Sequence, residues 1–106
     1  MGTQSNTFGL TAEVINKISG VLSNYSAIKI VLIYGSRAKG NYQQGSDIDL
    51  CIVGGPVSFS DISTIETSLD DLLLPYKIDL TEKDKIDNPD LLNHIERVGK
   101  NFYIKD

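Results

Sequence analysis

Cysteine is nearly absent from this chain of 106 residues, with Cys51 standing alone. One thiol cannot form an intramolecular disulfide, and it excludes a zinc cluster built on paired cysteines. Histidine also occurs once, tryptophan not at all and proline only three times. The lone His94 sits beside the apolar stripe of a C-terminal helix pattern. It supports neither a catalytic triad nor a histidine metal site. Basic residues are outnumbered, ten Lys and Arg against fourteen Asp and Glu, for a formal charge of −4. That argues against an extensive nucleic-acid surface, which needs a basic face. No apolar run approaches membrane-spanning length, and the N-terminus lacks the basic and apolar regions of a signal peptide. These absences lead to the expectation of a cytoplasmic protein with no membrane contact.

What remains is ordinary for a globular chain: 41% hydrophobic and 23% charged residues. The length predicts one domain over residues 1–106, with the polar stretch Met1–Thr7 loose. Leu10–Tyr25 reads as a helix, with Leu10, Val14, Ile18, Val21 and Leu22 on one face and Thr11 as its N-cap. Ile28–Tyr34 is a nearly continuous apolar, β-branched run, the pattern of a strand covered on both faces. Ser36–Lys39 fits a short helical turn and Gly40–Gly45 a loop. A second strand, Asp47–Val53, is ended by Gly54-Gly55-Pro56. Phe59–Leu74 is the next helix, with Ser60 as N-cap and Pro75 as terminator. Tyr76–Thr81 is a third strand. Asn88-Pro89-Asp90 starts a last helix that presents Leu91, Leu92, Ile95 and Val98 and is capped by Gly99. Phe102-Tyr103-Ile104 is an apolar tail, a strand or a turn. The order predicts an α/β (α+β) fold, a small mixed sheet flanked by helices. Strand pairing is left open.

The chemistry is concentrated between Ile28 and Val53. The first strand runs into Gly35-Ser36, where a residue without a side chain lets a ligand approach the backbone closely. The N–H groups there and the Ser36 hydroxyl can hold a phosphate. Ten residues further on stands Asp47-Ile48-Asp49. In a strand, residues i and i+2 share a face, so the two carboxylates project side by side, about 7 Å apart at Cβ. Like charges held together call for a cation, and Mg²⁺ suits one or two carboxylates completed by water and substrate phosphates. Asp79, mid-strand between Ile78 and Leu80, joins the pair if the third strand neighbours the second. Three carboxylates suffice for two Mg²⁺ ions.

Gly35-Ser36 followed by Asp47-Ile48-Asp49-Leu50, in the wording SRAKG…SDIDL, resembles the signature of the DNA polymerase β-like nucleotidyltransferase superfamily. It is most similar to the minimal nucleotidyltransferases, small prokaryotic proteins usually paired with a HEPN-domain partner, often as antitoxin to its toxin. The resemblance spans roughly Ile28–Leu80. It implies a palm-like fold and catalytic, metal-binding roles for Asp47, Asp49 and Asp79, the last also taking the proton of the nucleophile. It implies transfer of a nucleoside monophosphate, AMP from ATP, to an acceptor hydroxyl, a tyrosine of the HEPN partner. Two other functions fit: a non-catalytic antitoxin that neutralises by contact, and a small-molecule enzyme of the aminoglycoside-modifying type. The chain has little beyond the palm to bind an acceptor, which argues for one presented by a partner protein. A homo- or hetero-oligomer is compatible with this reading.

Around this core the assignments are weaker. Arg37 either clamps phosphate oxygens in its planar fork or is a solvated charge. Ser46 caps the loop or reaches a phosphate, so the nucleotide-binding set is Gly35, Ser36, Arg37 and Ser46. Tyr42 is a surface tyrosine or a stacking platform for a base. Lys77 shares the face of Asp79 and can neutralise it. Cys51 reads as a small buried apolar residue.

Overall fold

A computed structural model describes residues 7–54 and 56–105. Residues 1–6 of the polar leader, and Gly55 of the expected strand terminator, lie outside the described residues. Thr7 is pinned, exchanging backbone hydrogen bonds of 3.0 and 2.9 Å with Leu10.

The elements run α1 (Ala12–Leu22), β1 (Ile30–Tyr34), α2 (Gly35–Lys39), β2 (Ile48–Val53), α3 (Phe59–Asp71), β3 (Ile78–Glu82), a 3₁₀ turn (Lys83–Lys85), α4 (Pro89–Val98) and β4 (Lys100–Ile104). The sheet has four strands in the order β3-β2-β1-β4. Strand β1 pairs antiparallel with both β2 and β4, while β2 and β3 run parallel, joined over one face by α3. The mixed sheet expected from the element order is therefore present. The apolar tail is a true edge strand, with a register shift opposite Val31/Leu32.

Alternation along the strands divides the side chains between two faces. On one face Val31, Ile33, Ile48, Leu50 and Ile52 are fully buried and pack with Ile18 and Leu22 of α1 and Ile65 and Leu69 of α3. The other face carries a smaller cluster of Tyr34, Cys51 and Ile95, the last from α4. One helix cannot cover a face that two helices cover on the opposite side. The strand ends nearest Gly35 thus remain accessible beside α4, and Asp47 and Asp79 are both exposed there.

Thr11 caps α1 as expected, its Oγ1 accepting from the Val14 N–H at 3.2 Å, and Asn88 caps α4 by accepting from Asp90 and Leu91. The cap of α3 is Ser58, which accepts from Asp61 at 3.0 Å; Ser60 lies inside the helix. That helix also stops at Asp71, three residues before the expected end, with Leu73 at φ 55°. Pro75 explains it: the residue before proline is pushed out of the helical region, so the last turn has to close earlier. Gly99 stands at the end of α4, but in extended rather than left-handed backbone (φ −61°, ψ 141°), because β4 begins at once.

Candidate active site

The sheet register assembles the site. Tyr34 on β1 is opposite Asp49 on β2, and Asp49 is opposite Asp79 on β3. The three form one row across neighbouring strands and share a face, the α4 side. The next row is Leu32, Cys51 and Thr81. The Tyr34 hydroxyl and Thr81 Oγ1 lie 3.3 Å apart, tying β1 to β3 across the row. Asp47 stands one residue before β2, at the end of the Gly40–Gly45 loop, and is exposed. The expected strand start at Asp47 is thus one residue early, since the first ladder bond is donated by Ile48 to the Lys77 carbonyl. The condition set for Asp79, that its strand adjoin that of Asp49, is met.

Electrostatics at the row are those of crowded anions. Burial holds the Asp49 carboxyl above the usual range, and the charges of Asp79 and then Asp47 push it further the same way; the charge of Lys77 partly offsets them. Burial likewise raises the Tyr34 phenol, with Asp49 and Asp79 adding to the effect against the Thr81 hydrogen bond. Tyr34 therefore stays a neutral phenol at physiological pH. Cys51 is fully buried and its thiol is pushed up to about 11, chiefly by burial, so it is an inert core residue as expected.

Gly35 opens α2 at φ +73°. A Cβ there would run into Asp49 Oδ2, closer than real contacts allow. A side chain at this position would thus have to displace the Asp49 carboxylate, besides adopting a backbone conformation that favours glycine. The Gly35 N–H donates to His94 Nε2 at 3.2 Å, and the imidazole sits edge-on to Tyr34 with ring centroids 6.1 Å apart. Residue-type reasoning missed His94. A lone histidine beside an apolar stripe carries no signal of which loop the helix will touch, and only the packing of α4 against α2 supplies it. Ser36, half-buried, is the second residue of the same turn.

Arg37 is neither a solvated charge nor aimed at the acid row. It is 2% exposed, the one charged side chain buried among the described residues. Its Nε and one terminal nitrogen donate to the Ser46 carbonyl at 3.1 and 2.9 Å, and the other terminal nitrogen donates to the Phe8 carbonyl at 3.0 Å. The rings of Tyr42 and Tyr76 lie 5.3 and 4.9 Å from its guanidinium carbon. Arg37 thereby latches the loop before Asp47 to the N-terminal segment. Ser46 caps that loop, its Oγ accepting from the Gln43 N–H at 2.8 Å. Tyr42 packs on the latch, and Lys39 is exposed.

The donor set of the row is oxygen only, which suits a hard divalent ion. Among the described residues no group of three or more His, Cys, Asp or Glu side chains could hold a metal ion. Mg²⁺ needs no such cage when one or two carboxylates and substrate phosphates complete its shell. The charges of Asp79 and Asp47 crowded around Asp49 fit that use, because a bound cation would offset their repulsion.

Crowded carboxylates on the open face of a helix-backed sheet, with a glycine turn against them, are an arrangement that could serve metal-assisted phosphoryl transfer. The sequence matches the family described as "Polymerase beta, Nucleotidyltransferase" over residues 16–106. Two proteins of Methanocaldococcus jannaschii provisionally named protein adenylyltransferases are each 34% identical over 85 residues, covering 79% of this chain and 86% of theirs. Among solved structures, a chain of a toxin–antitoxin complex with AMP-PNP superposes with a TM-score of 0.68, at 20% identity, over 87% of this chain and 74% of that one. A chain from the complex of tri-AMPylated Shewanella oneidensis HEPN toxin with MNT antitoxin gives 0.63, at 17% identity, over 88% and 71%. The chain belongs to the polymerase β-type nucleotidyltransferase family. No helix of the described residues is long and apolar enough to cross a membrane.

Proposed function

We propose that this enzyme is a Mg²⁺-dependent protein adenylyltransferase that moves AMP from ATP to a tyrosine hydroxyl of a HEPN-domain toxin and acts as its antitoxin. The observation that carries the reading is the row of Asp49 and Asp79, with Asp47 beside it, against the Gly35-Ser36 turn. Asp47 and Asp49 would hold Mg²⁺ together with the triphosphate, and Asp79 would complete a second metal position. Bound there, the ions would lower the pKa of the attacking hydroxyl and neutralise the pyrophosphate as it leaves. Asp79, exposed at the edge strand, would accept the proton of an incoming hydroxyl. That hydroxyl oxygen forms a bond to the α-phosphorus while the bond from the α-phosphorus to the pyrophosphate oxygen breaks. Ser36 presents its N–H and hydroxyl on the same turn as Gly35, where phosphate oxygens would lie. The relatives named as adenylyltransferases and the AMPylated toxin in a structurally similar complex support both the nucleotide and the acceptor.

Two of the sequence assignments acquire a different content. The latch geometry of Arg37 and the loop cap of Ser46 make them supports of the Asp47 loop, and their part in nucleotide binding is to hold that loop in place. The test is incubation with Mg²⁺, ATP and the co-encoded HEPN protein. A mass increase of one AMP on a partner tyrosine is expected, lost in Asp47→Asn/Asp49→Asn. If that double variant neutralises the toxin as well as the native protein does, neutralisation is by contact and the transfer reading fails.

A further inference from the structure

We propose that His94 is a positioning residue for the nucleotide: its Nε2 fixes the Gly35-Ser36 turn against Asp49, so that the turn's phosphate contacts begin at Ser36. Four observations converge on this histidine. Its Nε2 is the acceptor for the Gly35 N–H at 3.2 Å, so the first amide of the turn is already committed to a protein group. The imidazole is itself held, edge-on to Tyr34, whose hydroxyl is in turn tied to Thr81 on β3. The following residue, Ile95, is 1% exposed and anchors α4 in the cluster that contains Tyr34. The turn it grips is the one at which Gly35 adopts φ +73° with Asp49 Oδ2 packed where a Cβ would be.

These contacts connect β3, β1, α4 and α2 around the half-buried Asp49. A glycine in left-handed backbone has no side chain to fix its peptide plane, so an external acceptor is what can hold it. Accepting at Nε2 requires a lone pair there, which places the ring proton on Nδ1. A ring that merely filled space beside Tyr34 would not need a nitrogen toward Gly35. A ring that blocked the phosphate site would instead have to leave before the nucleotide entered.

The proposal rests only on the nucleotide-binding part of the function above, and its test does not involve the acceptor protein. The Kd for ATP in the presence of Mg²⁺ is measured by calorimetry for the native protein, His94→Gln and His94→Phe, with thermal melts of all three. Gln keeps an acceptor at comparable reach, whereas Phe keeps the edge contact with Tyr34 and loses the acceptor. We expect Kd to rise roughly five- to tenfold in His94→Phe, the value of about one hydrogen bond. We expect His94→Gln to stay within about twofold of native, since an acceptor is retained. Equal affinity in all three proteins, with or without a lower melting temperature in His94→Phe, would reduce His94 to packing and overturn the proposal. Tighter binding in His94→Phe would overturn it too, making His94 a competitor for the Gly35 N–H. A native protein that binds no Mg²⁺–ATP would defeat the proposed function itself, an outcome distinct from either.

Discussion

At the scale of single residues the site is a balance between folding and chemistry. Asp49 is half-buried beside two other carboxylates, and its folded pKa lies above the ordinary value of 3.8. An acid whose pKa is raised on folding binds its proton more tightly in the native state. Its contribution to stability therefore falls as pH rises from the unfolded value through the raised one. At neutral pH without metal the ionised Asp49 is a liability, and Asp49→Asn should raise the melting temperature of the metal-free protein. The same change should reduce AMP transfer by about three orders of magnitude, comparable to losing a group that stabilises the transition state directly. On the proposed function Mg²⁺ would compete with the proton for this carboxylate, so ATP affinity with Mg²⁺ should weaken on acidification at a pH above the usual aspartate range. Calorimetric titration across a pH series checks it.

Gly35 gives a second prediction at this scale. Gly35→Ala puts an L side chain at φ +73°, which costs about 1–2 kcal/mol, and forces Asp49 Oδ2 away. A displacement of that kind predicts about a 100-fold loss of transfer, measurable in a steady-state assay. Arg37 gives the third. Arg37→Lys retains charge but not the fork that spans the Ser46 and Phe8 carbonyls. A loss of about 2 kcal/mol in urea unfolding is expected from hydrogen bonds to a charged group.

At the scale of elements, local chemistry was legible where a side chain and its own backbone decide the outcome. Thr11 and Asn88 were readable as caps because Thr, Asn and the following Pro89 act on N–H groups within three residues. Asn88→Ala should cost about 1 kcal/mol, since it frees the first-turn amides of Asp90 and Leu91. Because α4 carries His94 to Gly35, the same variant should also weaken ATP binding, which links an element's end to the site. The apolar run of β1 was legible as a strand, but its two faces are covered unequally: Val31 and Ile33 are fully buried, while Ile30 and Leu32 on the α4 side are half-buried. The end of α3 was less so. The spacing of Ile62, Ile65, Leu69, Leu72 and Leu73 continues toward Pro75, while the backbone has already turned at Leu73. Periodicity reports which face is apolar, not where the chain must leave it.

At the scale of the whole molecule, the proposed function would make three crowded acids mutually useful, because a cation and a triphosphate bound among them would offset their repulsion. Binding to the native state alone stabilises by mass action, about 2.7 kcal/mol at a ligand concentration 100 times Kd. Mg²⁺ with ATP should therefore raise the melting temperature well beyond either alone, and EDTA should cancel the gain. The net charge of −4 makes the open face unfavourable to bare anions. On the proposed function, a nucleotide would therefore bind there with its metal.

The amino-acid sequence by itself determined the parts that are contiguous or periodic: the Gly-Ser turn, the Asp-x-Asp, the buried strand before them, two helix caps and the mixed α/β class. Each rests on residues within a few positions of one another, where backbone geometry leaves little choice. The tertiary structure decided what depends on distant segments meeting. It set Asp79 level with Asp49 through a parallel register that no local pattern encodes. It turned Arg37 inward, because two carbonyls 9 and 29 residues away converge on its guanidinium and satisfy a buried charge. It brought the only histidine 59 residues back to the glycine of the turn.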